Sequence, residues 1–157
     1  MRRDHFELEA HNIDWVETGS EPAEPRVVID FHGPEETLRE RLTDAEGDLL
    51  GAEETDVTFR LQDPLDTSDA TGVVGVTDLI TGDFLLELNE DAEDVLRFVR
   101  AAREYGQSAD DDAGRYSVVL RIDGDPLTTY SKSTFLVYDA NGSLLRSKSL
   151  IPSGVEL

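Results

Sequence analysis

Apolar residues in this chain recur mainly at a period of two, and that spacing restricts it to folds built on half-buried strands. From His5 to Ala10, Phe6, Leu8 and Ala10 alternate with His5, Glu7 and Glu9, and Trp15 is placed to close this strand. Arg26 to Phe31 reads as a second strand, rich in Val and Ile, after a loop from Thr18 to Pro25 punctuated by Gly and Pro. Asp56 to Gln62 alternates again, with Val57, Phe59 and Leu61 facing one way. Val73 to Leu79 and Phe84 to Leu88, joined by Thr81-Gly82-Asp83, predict a hairpin. The last third predicts a three-stranded meander of Tyr116 to Ile122, Thr134 to Asp139 and Leu144 to Ile151. Its turns would lie at Asp123-Gly124-Asp125-Pro126 and Asn141-Gly142.

Two segments carry the helical period instead. Pro34 stands where a first helical residue belongs, Glu35 and Glu36 suit the positive end of a helix dipole, and Leu38 and Leu42 lie one turn apart. The stronger segment is Asp91 to Tyr105, where Val95, Phe98, Val99 and Ala102 fall on one face and Arg97, Arg100 and Arg103 off it. Asn89 or Asp91 can cap it, and Gly106 is placed to end it. Strands and helices do not alternate regularly, so the expected fold class is α+β. We expect an antiparallel or mixed sheet of about seven to eight strands, with one long and one short helix packed on one side. A length of 157 residues predicts one domain over 1–157.

Charge narrows the setting. The chain has 35 Asp and Glu against 14 Lys and Arg, a formal net charge of -21, and lysine only at Lys132 and Lys148. The carboxylates are interleaved with the apolar patterns rather than gathered in a tail, so the acidity belongs to the folded surface. Such a surface holds hydrated monovalent cations and stays dispersed where molar salt screens other repulsion, which predicts a protein adapted to high salt. The same balance predicts no nucleic-acid partner, because phosphate contacts need a local excess of cations. No apolar run approaches the roughly 18 residues of a membrane span. Arg2-Arg3 is followed by a polar alternation and not by an export signal's apolar core, and cysteine is absent, which excludes disulfides and thiolate chemistry. A cytoplasmic location is expected.

The motifs for chemistry are sparse. Carboxylate pairs are too abundant on this composition to mark a catalytic pair. His5, His11 and His32 lack the spacing of a helical zinc motif, and His5 and His11 would lie about 20 Å apart on an extended strand. Asp110, Asp112 and Gly114 resemble the start of a calcium loop, but the required oxygen ligand and glycine positions are occupied by Gly114 and Arg115. No phosphate-binding glycine pattern and no Gly-x-Ser-x-Gly elbow occurs. No cofactor, metal or catalytic residue is predicted. Partner-binding candidates are Tyr130, Lys132 and Lys148, with both lysines expected in one hairpin, where they equally suit protection of a sheet edge. Val155 and Leu157 belong to an apolar terminus, Ser149 to Leu157, which fits either a partner groove or the protein's own sheet.

The opening Met1-Arg2-Arg3-Asp4, Thr81-Gly82-Asp83-Phe84, Ala101 to Gly106, Thr134-Phe135-Leu136-Val137-Tyr138 and Ser149 to Glu156 together resemble a family of uncharacterised haloarchaeal proteins, a domain of unknown function. The resemblance implies a haloarchaeal source and no activity. Two readings follow from the residues. The first is a non-enzymatic cytosolic protein that binds another protein through its sheet or its C-terminal tail. The second is a small-molecule binding domain or enzyme with a pocket between the sheet and the helix 91–105. A flat exposed apolar patch favours the first, and a concave pocket with convergent polar groups the second.

Overall fold

A computed structural model describes residues 6–64, 66–108 and 115–151. In chain order the strands are β1 (Phe6–His11), β2 (Arg26–Phe31), β3 (Thr55–Leu61), β4 (Thr71–Asp78), β5 (Phe84–Asp91), β6 (Tyr116–Ile122), β7 (Asp125–Lys132) and β8 (Leu136–Tyr138). The helices are α1 (Trp15–Thr18), α2 (Glu35–Arg41) and α3 (Ala92–Ser108). The fold is α+β, as expected, but the eight strands make two four-stranded mixed sheets rather than one. The first runs β1-β2-β6-β7, with β2 and β6 parallel. The second runs β5-β4-β3-β8, with β3 and β8 parallel.

The inward faces of both sheets and of α3 meet in one hydrophobic cluster. Ile29 and Phe31 from β2 and Tyr116, Val118 and Leu120 from β6 join Val57, Phe59 and Leu61 from β3 and Val74 and Val76 from β4. α3 adds Val95, Phe98, Val99 and Ala102, all buried, as the helical period predicts. The Phe98 ring stands edge-on to Tyr116 with centroids 5.4 Å apart and lies 6.5 Å from Phe135, so one side chain ties the helix to segments serving both sheets. Among the described residues no helix is long and apolar enough to cross a membrane.

Four local expectations need correction. Gly106 does not end α3, which continues to Ser108 with Gly106 buried inside it, since a helix tolerates one glycine at about 1 kcal/mol. Trp15 does not close β1 but starts α1, with its indole N–H donated to the Asn12 carbonyl. The C-terminal meander is absent. β6 pairs with β7, a polar edge strand carrying Pro126, while β8 crosses to the second sheet and lies along β3. The segment after β8 is no strand: it touches Phe135 and Tyr138 through single bridges at Leu150 and Leu144 and contains a 3-10 turn, Arg146–Lys148. It covers the open edge of β8, and Leu150 is buried.

Candidate functional site

The sequence-derived candidates do not converge. Tyr130 faces inward from β7 opposite Val118, is 1% exposed, and is therefore not available to a partner. Its hydroxyl has no hydrogen-bond partner among the described residues, and burial, with Glu54 nearby, pushes the phenol up to about 12. Lys132, at the end of β7, donates to the carbonyls of Ala52 (2.8 Å) and Thr55 (2.6 Å), which fastens the edge of the first sheet to the start of β3. Burial lowers its pKa, against the pull of Asp56 and Glu53, and burial likewise raises that of Asp56 against the pull of Lys132. This lysine is a structural clamp.

Lys148 is not in a hairpin with Lys132. It lies exposed in the 3-10 turn beside α3, where it lines a groove of about 330 Å³ with Arg97, Arg100 and Arg103. The arginines there are engaged: Arg97 with Asp14 and Glu17, Arg100 with Glu104, and Arg103 with the Ser147 and Ser149 carbonyls. Arg97 thereby fastens α1, and Arg103 the C-terminal segment, to α3. Val155, Leu157 and the Asp110–Gly114 calcium-loop resemblance lie outside the described residues. His11 and His32 sit at opposite ends of the β1–β2 pair, since His11 faces Arg26 while Phe31, next to His32, faces Phe6.

A space does exist between the sheets and α3, lined by Val57, Val74, Val95, Phe98 and Tyr116, with Glu90 and Asp94 among its walls. Its volume is about 40 Å³. Small-molecule sites ordinarily span roughly 300–1,000 Å³, so this apolar crevice is several times smaller than such a site. The carboxylates of Glu90, Asp91 and Asp94 approach within 4.8 Å of one another, as do those of Asp44, Glu46 and Asp48. Burial, assisted by Asp94 and Asp91, raises the pKa of Glu90. Both groups offer oxygen ligands to a hydrated cation, on a surface where such acid clusters are common.

The distinctive surface lies at the apex of the β4–β5 hairpin. Among the described residues four large apolar side chains are exposed, and three of them lie there: Leu79 (55%), Ile80 (72%) and Phe84 (53%). The turn that presents them is pinned. The Asp78 carboxylate accepts the N–H groups of Ile80 (2.8 Å) and Thr81 (3.3 Å), and the Asp78 carbonyl accepts that of Gly82, whose φ of 80° suits glycine. The Leu79 N–H bonds to the Glu54 carbonyl, 2.9 Å away. In β5, Thr77 opposes Phe84 and Val76 opposes Leu86, so Leu85 is an extra residue in a bulge. Leu85 and Leu86 are therefore both buried, and Phe84 turns outward. Its ring lies over Gly75, where an added Cβ would stand 3.3 Å from the ring.

Phe84 thus lines two broad open grooves. One, of about 800 Å³, covers the outer face of the second sheet, with Arg60, Val73, Gly75, Leu79 and Tyr138. The other, of about 810 Å³, runs between the hairpin and the α2–β3 connection, with Ile80 beside a floor that includes Leu50 and Leu85. Sequence reasoning missed this apex. Its signal was present in Phe84-Leu85-Leu86, three successive apolar residues that a two-residue period cannot place on one face.

Over residues 1–157 the chain matches the model of a family described as a family of unknown function (DUF5793). No curated protein and no solved structure matches it.

Proposed function

From the premise that the chain belongs to this family of unknown function, we propose that it is a non-enzymatic protein-interaction module, working in a salt-rich cytoplasm and binding its partner through the β4–β5 apex and the outer face of the second sheet. The observation that carries this reading is the clustering of Leu79, Ile80 and Phe84 on one pinned hairpin. Contiguous apolar side chains exposed to this degree are a mark of contact surfaces. The bulge at Leu85 supports the reading, because it is what directs Phe84 out of the core. Lys132 and Tyr130, whose proton affinities are shifted, are committed to backbone carbonyls and to the core, which speaks against acid–base catalysis. The net charge of -21 supports the salt-rich setting and a haloarchaeal source.

The test is retention from native extract kept at about 1 M potassium chloride, where surface repulsion is screened. Wild-type protein and the Ile80→Ser/Phe84→Ser variant serve as paired baits. A protein held by the wild type and lost by the variant is the expected result. Equal retention by both baits, or none by either, would remove the apex as the binding surface.

A further inference from the structure

Resting on that docking face, we infer that its occupant is a cationic amphipathic segment of a partner protein, laid in the groove between the hairpin and the α2–β3 connection. Its apolar side would cover Ile80 and Phe84, and its lysines or arginines would face the carboxylates along the walls.

The lining chemistry selects this class. The groove carries Glu40, Asp44, Glu46, Glu54, Asp78 and Asp83 against a single cation, Arg41. That cation is spent, since its guanidinium donates to the carbonyls of Phe84 (2.9 Å) and Leu85 (3.3 Å) at the β5 edge. None of the six carboxylates makes an ion pair with a described residue. Three are oriented by backbone N–H groups. Asp44 accepts those of Glu46 and Asp48, Glu54 that of Gly51, and Asp78 those of Ile80 and Thr81. Such bonds hold the carboxylates in place.

On α3, by contrast, Arg97 is matched by Asp14 and Glu17. Here unmatched negative charge surrounds exposed apolar anchors and a floor that includes buried Leu50 and Leu85. An anionic ligand is disfavoured by repulsion. An uncharged apolar segment would leave the carboxylates facing it without partners. A basic amphipathic segment satisfies both features, by the groove-and-anchor mode of peptide recognition.

The probe is a labelled amphipathic peptide of leucine and lysine, read by fluorescence anisotropy at about 0.5 M potassium chloride, where charge is strongly but not fully screened. Its counterpart carries glutamate for every lysine, and spermidine serves as competitor. We expect the lysine peptide to bind and the glutamate peptide not to. Ile80→Ser/Phe84→Ser removes two apolar anchors and should weaken binding about tenfold or more. Glu40→Gln/Glu46→Gln/Asp83→Asn should weaken it roughly threefold to 150-fold, the range for three exposed ion pairs. All these sites are on the surface, so each variant should fold, with the charge-neutralised one melting at or slightly above the wild type, and Ile80→Leu/Phe84→Met should retain binding.

Binding of the glutamate peptide with the same dependence on Phe84 would leave the docking face standing and overturn the partner class. Binding of the lysine peptide that neither variant weakens would be general attraction to an acidic surface and would overturn both. Displacement by spermidine that binds the apex variant equally well would make the groove a polycation site and overturn the peptide assignment.

Discussion

Lowering the salt should loosen or unfold this protein. The molecule exposes 8620 Å², and a sphere of that area has a radius of about 26 Å. Spreading its 21 net negative charges over that sphere gives an unscreened self-repulsion on the order of 35 kcal/mol in water. With Debye lengths of about 30, 10 and 3 Å, this falls to roughly 20 kcal/mol at 0.01 M salt, 10 at 0.1 M and 4 at 1 M. The unfolded chain is larger and escapes about half of each value. Raising salt from about 0.01 to 1 M should therefore stabilise the fold by about 8 kcal/mol, comparable with the roughly 5–15 kcal/mol of stability a domain ordinarily has. Circular-dichroism melts in potassium chloride from about 0.01 to 3 M read this out. The melting temperature should climb steeply to about 1 M, with further gains from cation binding and a strengthened hydrophobic effect. A flat melting temperature would show that the charges are compensated locally, and the salt-adapted reading of the surface would fall.

Phe98→Ala should cost about 3–5 kcal/mol in denaturant unfolding, because the ring is 4% exposed and packs between Tyr116 and Phe135. A loss under about 1 kcal/mol would mean that α3 does not depend on this anchor. Lys132→Met should destabilise by roughly 2 kcal/mol, since two carbonyls lose a charged donor, and Lys132→Arg should restore part of that loss. His32 lies between Asp123 and Glu7, and the Asp123 hydrogen bond leads in raising its pKa above 6.5. A raised folded pKa means that the His32 contribution is complete below the unfolded value and is lost as pH rises through the folded one. An NMR titration should place the His32 ring above 6.5, and His32→Gln should flatten the fall in melting temperature across that window. A titration midpoint at or below 6.5 would contradict the Asp123 contact.

The strands with regular alternation were legible because period and burial coincide, as in Val57, Phe59 and Leu61 of β3. The division into two sheets was not. Inward-facing residues of β6 and β8 look alike in sequence, and nothing local says that Val118 meets Val27 while Val137 meets Phe59. β7 was hidden by its composition, since Pro126, Thr128, Thr129 and Ser131 leave no apolar alternation on an edge strand. Tyr130, Lys132 and Lys148 looked like binding candidates because both lysines were expected in one C-terminal hairpin. The true partners of the first two, the core for Tyr130 and the carbonyls of Ala52 and Thr55 for Lys132, come from a segment far away in the chain. The apex residues fell on a hairpin that the sequence did predict, but the bulge at Leu85 decides which side Phe84 takes, and no period encodes it.

The most direct test of the docking surface is site-specific photo-crosslinking in the native cells. A benzophenone side chain replaces Phe84 on the apex and, as control, Thr129, which is exposed on β7 of the first sheet. The predicted result is one discrete protein adduct from position 84 that is missing from position 129. Adducts common to both positions, or none from position 84, would contradict the assignment of this face as the place where the protein meets its partner.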